Sequence, residues 1–218
     1  LPDDVLTRAA ESFAGDADRF VLVGNDVLDT GEGEKVLNAL LNLCTLVNFG
    51  STGSVSIYPP REHCNSQGAN DMGLTPEFLP GYKPGKANRD LFETCKDGTI
   101  KFLYIAGEDP VQSFYKPQQV KDALKTVPFL IVTDVFMTET ARMADLILPS
   151  STYAEKDGTY TNMSRHIQAV AAAVLPQGTS KPDFDILIEL AETFGKPFIS
   201  SSITELQQEI EQAAPIYK

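Results

Sequence analysis

Phe129-Leu-Ile-Val-Thr-Asp-Val-Phe-Met-Thr-Glu-Thr-Ala-Arg-Met-Ala-Asp-Leu-Ile-Leu-Pro149 is the stretch whose reading decides the fold. Phe129 to Thr133 is apolar and rich in branched side chains, the pattern of a buried strand. Thr138 to Ala144 predicts a short helix, with Thr138 placed to cap it and Glu139 in its first turn. Leu146-Ile-Leu148 is a second apolar run, stopped by Pro149. Strand, helix and strand in immediate succession imply a βαβ unit and a mostly parallel sheet.

The same alternation extends in both directions. Upstream, Leu6 to Phe13 reads as a helix, Arg19 to Gly24 as a strand and Gly33 to Val47 as a helix. Ser54 to Tyr58 alternates weakly, as a second strand would, and Pro59-Pro60 breaks it. Residues 61–88 are rich in Gly, Pro and Asn and predict a long loop, with Phe78 to Tyr82 giving it enough apolar character to be ordered. Asp90 to Asp97 predicts a helix and Ile100 to Ala106 a strand. Pro117 begins another helix, continued by Gln118 to Thr126. Asp183 to Phe194 is amphipathic and ends at Gly195, and Ile203 to Ala213 is a last helix. The expectation is one α/β domain over 1–218, with 196–218 as a helical extension.

The chain carries a net charge of −12, which argues against a nucleic-acid or anionic-membrane surface, since both need a positive field. No apolar run approaches the ~20 residues of a membrane helix. Cys44, Cys64 and Cys95 are too scattered for an iron–sulfur or zinc motif. With His63 and His166 the only histidines, a His-based metal site within the chain is not expected. The sparse cysteines fit a reducing cytoplasm. Because the first residue is Leu1, the chain is expected to be a piece of a longer polypeptide, with function shared across the whole.

Three strand ends share a chemistry. Gly24-Asn25-Asp26 follows the first strand, Gly107-Glu108-Asp109-Pro110 the strand ending at Ala106, and Thr133-Asp134 closes the strand opened at Phe129. A carboxylate accepts two adjacent hydrogen bonds, which suits guanine or a ribose diol. Any single Asp at a strand end also makes turns and caps; three together favour a ligand edge. Of the nearby cations, Arg142, Lys156 and Arg165, the guanidinium of Arg165 best suits a phosphate. Asp157-Gly158 reads as a hairpin turn. No nucleophile–base pair is readable.

Four segments resemble, in order, the molybdopterin oxidoreductase family, in particular formate dehydrogenase alpha chains and the related subunit of NADH–quinone oxidoreductase. They are Asn65 to Gly73 with Leu79-Pro-Gly-Tyr82; Tyr104 to Pro110; Thr133 to Ala141; and Ala144 to Asn162. Together with the flanking residues the likeness covers roughly Arg61 to Gly195. It implies a Rossmann-like, mostly parallel sheet flanked by helices. It also implies loops that cradle a molybdopterin guanine dinucleotide holding molybdenum or tungsten. By motif, the cofactor-binding candidates are Asn65, Gln67, Gly68, Gly107, Glu108, Asp109, Thr133, Asp134, Thr138, Lys156, Asp157 and Gly158, with Arg165 added from its chemistry.

The family's iron–sulfur cysteines and its Cys or selenocysteine metal ligand are not in these residues. Arg165-His166 and Ser164 depart from the family's usual pair of basic residues and acidic or glycine position. The first functional expectation is therefore a support domain of the molybdopterin-oxidoreductase-like subunit of NADH–quinone oxidoreductase, without cofactor or turnover of its own. The alternatives are a cradle domain of a molybdenum or tungsten formate dehydrogenase, and a non-redox acidic binding module. The expected partners are the rest of the chain's own subunit and the other subunits of a respiratory or formate-oxidising complex.

Overall fold

The computed structural model describes residues 2–24, 27, 32–48, 53–58, 63–75, 77–85, 90–198, 200 and 202–217. They fall into two compact units, Leu1–Ser66 and Gln67–Lys218.

In the first unit, helix α1 (Asp3–Phe13), strand β1 (Arg19–Leu22), helix α2 (Gly33–Asn48) and strand β2 (Val55–Tyr58) follow the predicted order. β1 and β2 pair in parallel, with Arg19 opposite Val55. A glycine is required just before β2: a Cβ on Gly53 would lie 2.4 Å from the Ala17 carbonyl oxygen. The Asp18 carboxylate holds the entry to both strands, accepting from the Ser54 N–H at 2.9 Å and its hydroxyl at 2.8 Å. Those hydrogen bonds, the backbone one first, draw the Asp18 carboxyl below its ordinary range. The strand tip at Asn25 and Asp26 lies outside the described residues.

The second unit is built on a parallel sheet of β5 (Leu103–Ala106), β6 (Leu130–Asp134) and β7 (Leu146–Pro149), in that spatial order. β6 is the centre, so Leu130 to Thr133 are all buried, which is why that stretch reads as a continuous apolar run. Helices α4 (Leu91–Lys96), α5 (Pro110–Ser113) and α6 (Pro117–Leu124) pack Cys95, Val111, Val120, Ala123 and Leu124 towards Leu103 and Ile105. Asp90 caps α4 by accepting from the Glu93 N–H at 2.8 Å. Helix α7 (Asp183–Thr193) follows β7. Its approach is joined to that strand's end by a bridge between Ser150 and Lys181.

Residues 61–88 are less of a loop than predicted. They contain helix α3 (Ser66–Asp71) and a tight β3–β4 pair (Phe78–Leu79 and Lys83–Pro84) around a 3₁₀ turn at Pro80–Tyr82. Gly73 has φ +76° and an added Cβ would meet the Leu79 backbone at 2.5 Å, so only glycine fits there. The helix expected over 138–144 is a single 3₁₀ turn, Ala141–Met143. Asp157-Gly158 is not a hairpin turn either. Gly158 opens β8 (Gly158–Thr161), which pairs antiparallel with β9 (Ile167–Val170), so the turn is 162–166. Helix α8 (Ile203–Ala213) matches its predicted bounds and runs into a 3₁₀ turn at Pro215–Tyr217. Among the described residues no helix is long and apolar enough to cross a membrane.

Burial raises the Cys95 thiol above its ordinary range, with Asp90 and Asp97 adding to the effect. Cys64 is exposed and Cys44 buried. Iodoacetamide at neutral pH is therefore expected to label Cys64 and to leave Cys95 and Cys44 intact until the chain unfolds, which peptide mass mapping would read.

Candidate functional site

The carboxyl ends of β5, β6 and β7 lie at one level. The Gly107 N–H donates to the Thr133 carbonyl at 2.8 Å, and the Ser150 N–H to the Asp134 carbonyl at 3.0 Å. Each loop thus leaves its strand beside its neighbour. Gly107 takes φ +64° and an added Cβ there would meet nothing, so its backbone faces open space. On the next strand, Asp134 is half-buried, and its Oδ1 accepts from the Phe136 N–H at 3.0 Å. Its Oδ2 has no partner among the described residues. Val135, Phe136 and Met137 form an exposed apolar lip beyond it, Phe136 being 76 % exposed.

The other candidates at this edge are engaged within the protein. Asp109 was expected to face a ligand. Instead its Oδ1 accepts from the Thr140 hydroxyl at 2.5 Å and the Thr140 N–H at 3.2 Å, and its Oδ2 from the Glu139 N–H at 3.3 Å. Thr140 is fully buried, and its hydroxyl oxygen accepts from the Val111 N–H at 3.3 Å. This latch ties the loop after β5 to the loop after β6. It also satisfies the N–H groups of Glu139 and Thr140 just ahead of the Ala141–Met143 turn, and that turn stops at Ala144, which is already extended towards β7. Thr138 serves that turn, its hydroxyl accepting from the Ala141 N–H at 3.1 Å. Thr133 is buried and its hydroxyl donates to the Tyr104 oxygen at 2.8 Å. Glu108 is exposed and accepts from the Ser113 hydroxyl at 2.5 Å.

A second group forms where β7 meets α7. The Lys156 ammonium donates to Asp183 Oδ2, while Asp183 Oδ1 accepts from the buried Ser150 hydroxyl at 2.7 Å. Lys156 is therefore already paired. Asp157 accepts from the Ala172 N–H at 2.7 Å and so steadies the chain after β9.

A third group surrounds Asp71, which is fully buried on α3. Asp71 Oδ1 accepts from Gln67 Nε2 at 2.7 Å and the Tyr82 hydroxyl at 2.7 Å; Oδ2 accepts from the Tyr217 hydroxyl at 3.0 Å. Tyr217 gives its one proton to Asp71, so the Thr161 hydroxyl, 3.0 Å away, donates to Tyr217. Burial, ahead of these contacts, raises the Tyr217 hydroxyl above its ordinary range and keeps it a donor. Arg165 stands at the rim, its Nη2 nitrogen 3.5 Å from the Tyr82 oxygen and 3.6 Å from Asp71 Oδ1. Its guanidinium lies over the Tyr82 ring, 5.8 Å from the centroid. The Tyr82 contact is the main cause holding Arg165 above even its ordinary range.

Gly107, Glu108, Asp109, Thr133, Asp134 and Thr138 thus lie in the loops at one end of the β5–β6–β7 sheet. Lys156 belongs to the second group, and Gln67 and Arg165 to the third. Gly68 is buried on α3, Gly158 opens β8, and Asn65 lies in the first unit, just before α3. Sequence reasoning missed Asp71, Thr140, Ser150, Asp183 and Tyr217. Asp71, Thr140 and Ser150 stand inside the family-like segments, but nothing local marks them as buried; Asp183 and Tyr217 lie outside those segments. Among the described residues no group of His, Cys, Asp and Glu is arranged to hold a metal ion.

The family model for molybdopterin oxidoreductases matches residues 8–193. The alpha subunit of the F420-dependent formate dehydrogenase of Methanocaldococcus jannaschii is 35 % identical over 99 % of this chain and 35 % of its own length. The F420-dependent formate dehydrogenase 2 alpha subunit of Methanococcus maripaludis is 33 % identical over the whole chain and 35 % of its own length. The NADPH–Fe(3+) oxidoreductase alpha subunit of Geobacter sulfurreducens is 34 % identical over 85 % of this chain and 24 % of its own length. The chain therefore spans about a third or less of these relatives. Among solved structures, acetylene hydratase from Pelobacter acetylenicus aligns over 61 % of this chain and 20 % of its own, at TM-score 0.47 and 21 % identity.

Proposed function

This chain belongs to the molybdopterin oxidoreductase family, and from that we infer that its β5–β6 edge cradles the guanosine end of a pyranopterin guanine dinucleotide in the alpha subunit of a formate-dehydrogenase-type oxidoreductase. The observation that carries the reading is the pair of Gly107 and Asp134. An open backbone with positive φ lies beside a carboxylate with one oxygen free, on adjacent parallel strand ends. These residues fit the group. Asp134 suits the two adjacent N–H donors of guanine or a ribose diol, Gly107 admits close approach, and Glu108 is a second exposed acceptor. Thr133 and Thr138 shape the edge through their backbone, and Asp109 holds it together. Gln67, Gly68, Lys156, Asp157 and Gly158 belong to other loops and elements of the same unit. The names of the relatives support the formate-oxidising assignment.

When bound, the cofactor's metal supplies the two-electron chemistry. This chain's contribution is to bind and orient the nucleotide. The rest of the alpha subunit and further subunits are the proposed partners. The 218-residue chain alone is expected to show no turnover with formate or NADH.

Guanosine diphosphate is the probe. Calorimetry is expected to give a dissociation constant on the order of 100 µM for the chain. Asp134→Asn keeps the acceptor for Phe136 but loses the charge, and is expected to weaken binding about tenfold, or ~1.4 kcal/mol. Equal affinity in the two proteins would remove Asp134 from the site. The alternative, a support domain of the NADH–quinone oxidoreductase subunit that shares this family, predicts no guanosine binding by either protein.

A further inference from the structure

The group around Asp71 is more elaborate than a packing role requires. Arg165 sits at the tip of the β8–β9 hairpin with φ +59°, a conformation non-glycine residues seldom take. The tip is held there from both sides: Asn162 Oδ1 accepts from the Ser164 N–H at 3.0 Å and the His166 N–H at 2.9 Å. Tyr82, the residue beneath the guanidinium, also has positive φ, +60°. Two strained non-glycine residues in one contact mark a place where surrounding structure fixes a side chain's position.

The donor count explains what is fixed. Asp71 has three neutral donors within 3.0 Å, from Gln67, Tyr82 and Tyr217. Arg165 approaches it only to 3.6 Å. The carboxylate does not need Arg165 to complete its hydrogen bonding, so the ion pair orients the guanidinium without consuming it. One nitrogen, Nη2, points inward to Tyr82 and Asp71. The remaining N–H groups have no partner among the described residues, and the side chain is 54 % exposed. A guanidinium tethered by one corner, with its outer edge free, is organised to take two oxygens of a phosphate.

We propose that Asp71 is a positioning residue: through Tyr82 and the rim contact it presents the outer edge of Arg165 to a phosphate of the bound nucleotide. This deepens the guanosine-cradle reading and rests on it. Tyr217 completes the shell of Asp71 from the far end of the unit, and Gln67 acts here through Asp71 instead of touching ligand.

The test compares guanosine with guanosine diphosphate by calorimetry on the 218-residue chain, so that the ratio of affinities reads the phosphate contact alone. The wild type is expected to prefer the diphosphate about tenfold. Arg165→Gln is expected to bring the two ligands within about twofold, and Arg165→Lys to retain part of the preference. Asp71→Asn, which keeps the size of the side chain, is expected to reduce the preference to about threefold or less while guanosine affinity and the circular dichroism spectrum stay as in wild type. A merely structural Asp71 would weaken both ligands together. The ¹⁵N-edited signal of Arg165 Nε–H is expected to shift with inorganic pyrophosphate in the wild type, and less in Asp71→Asn. A diphosphate preference unchanged in folded Asp71→Asn, or in Arg165→Gln, overturns the proposal and leaves the cradle reading standing. Absence of binding by both ligands to the wild type overturns the two together.

Discussion

Asp71→Ala is expected to lower the unfolding free energy of the Gln67–Lys218 unit by about 3 kcal/mol, read as a lower urea midpoint with unchanged slope. The substitution strands two tyrosine hydroxyls and a glutamine amide that now meet one buried carboxylate. It also leaves Arg165 facing a void. The magnitude follows from the asymmetry of hydrogen-bond energetics: a satisfied bond is worth about 1 kcal/mol net, whereas each stranded buried donor costs its full desolvation. Asp71→Asn retains an acceptor oxygen and is expected to lose about half as much. A loss below about 1 kcal/mol for Asp71→Ala would mean that water enters and replaces the carboxylate.

Asp109→Ala is expected to cost about 2–3 kcal/mol, because the Thr140 hydroxyl and the N–H groups of Thr140 and Glu139 lose a common charged acceptor. Thr140→Val removes the other half of the latch and also the acceptor for the Val111 N–H. The two substitutions share partners, so their combined effect should fall short of the sum by at least about 0.5 kcal/mol. Guanosine diphosphate binding should weaken in both, since the latch joins the loops that carry Gly107 and Asp134. Stability effects that simply add would show that the two loops are held independently.

Asp109 also shows where reading a sequence stops. It was expected at a ligand edge; it lies at the carboxyl end of the sheet, and its carboxylate faces inward. Its partners are about thirty residues away, and nothing within the Gly-Glu-Asp-Pro motif distinguishes a carboxylate aimed at a ligand from one aimed at a neighbouring loop. The helix expected over 138–144 is one short turn because the chain must already be extended at Ala144 to enter β7 at Leu146, a demand set by the sheet and not by the local sequence. The strands around Leu103, Leu130 and Leu146 were legible because a central parallel strand must be apolar throughout. Helix α8 was legible from its own periodicity, and its start is capped by the Ser202 hydroxyl, 3.2 Å from the Glu205 N–H. Asp71 was quoted only as one letter of a family motif. A buried acid becomes visible only when the residues that neutralise it are known, and those stand in three separate segments.

The tie between Asp71 and Tyr217 spans 146 positions. At about 5–20 residues per second, a ribosome needs roughly 7–30 s to pass from one to the other. Throughout that interval the acid exists without its last donor, in a chain whose parallel sheet can already close through nearer pairings. Burying it early would trap an incompletely solvated charge, so α3 has reason to settle last. Maturation of this unit then waits on its final turn, and nascent chains halted before Tyr217 should remain open to proteases around α3 after the sheet has become resistant.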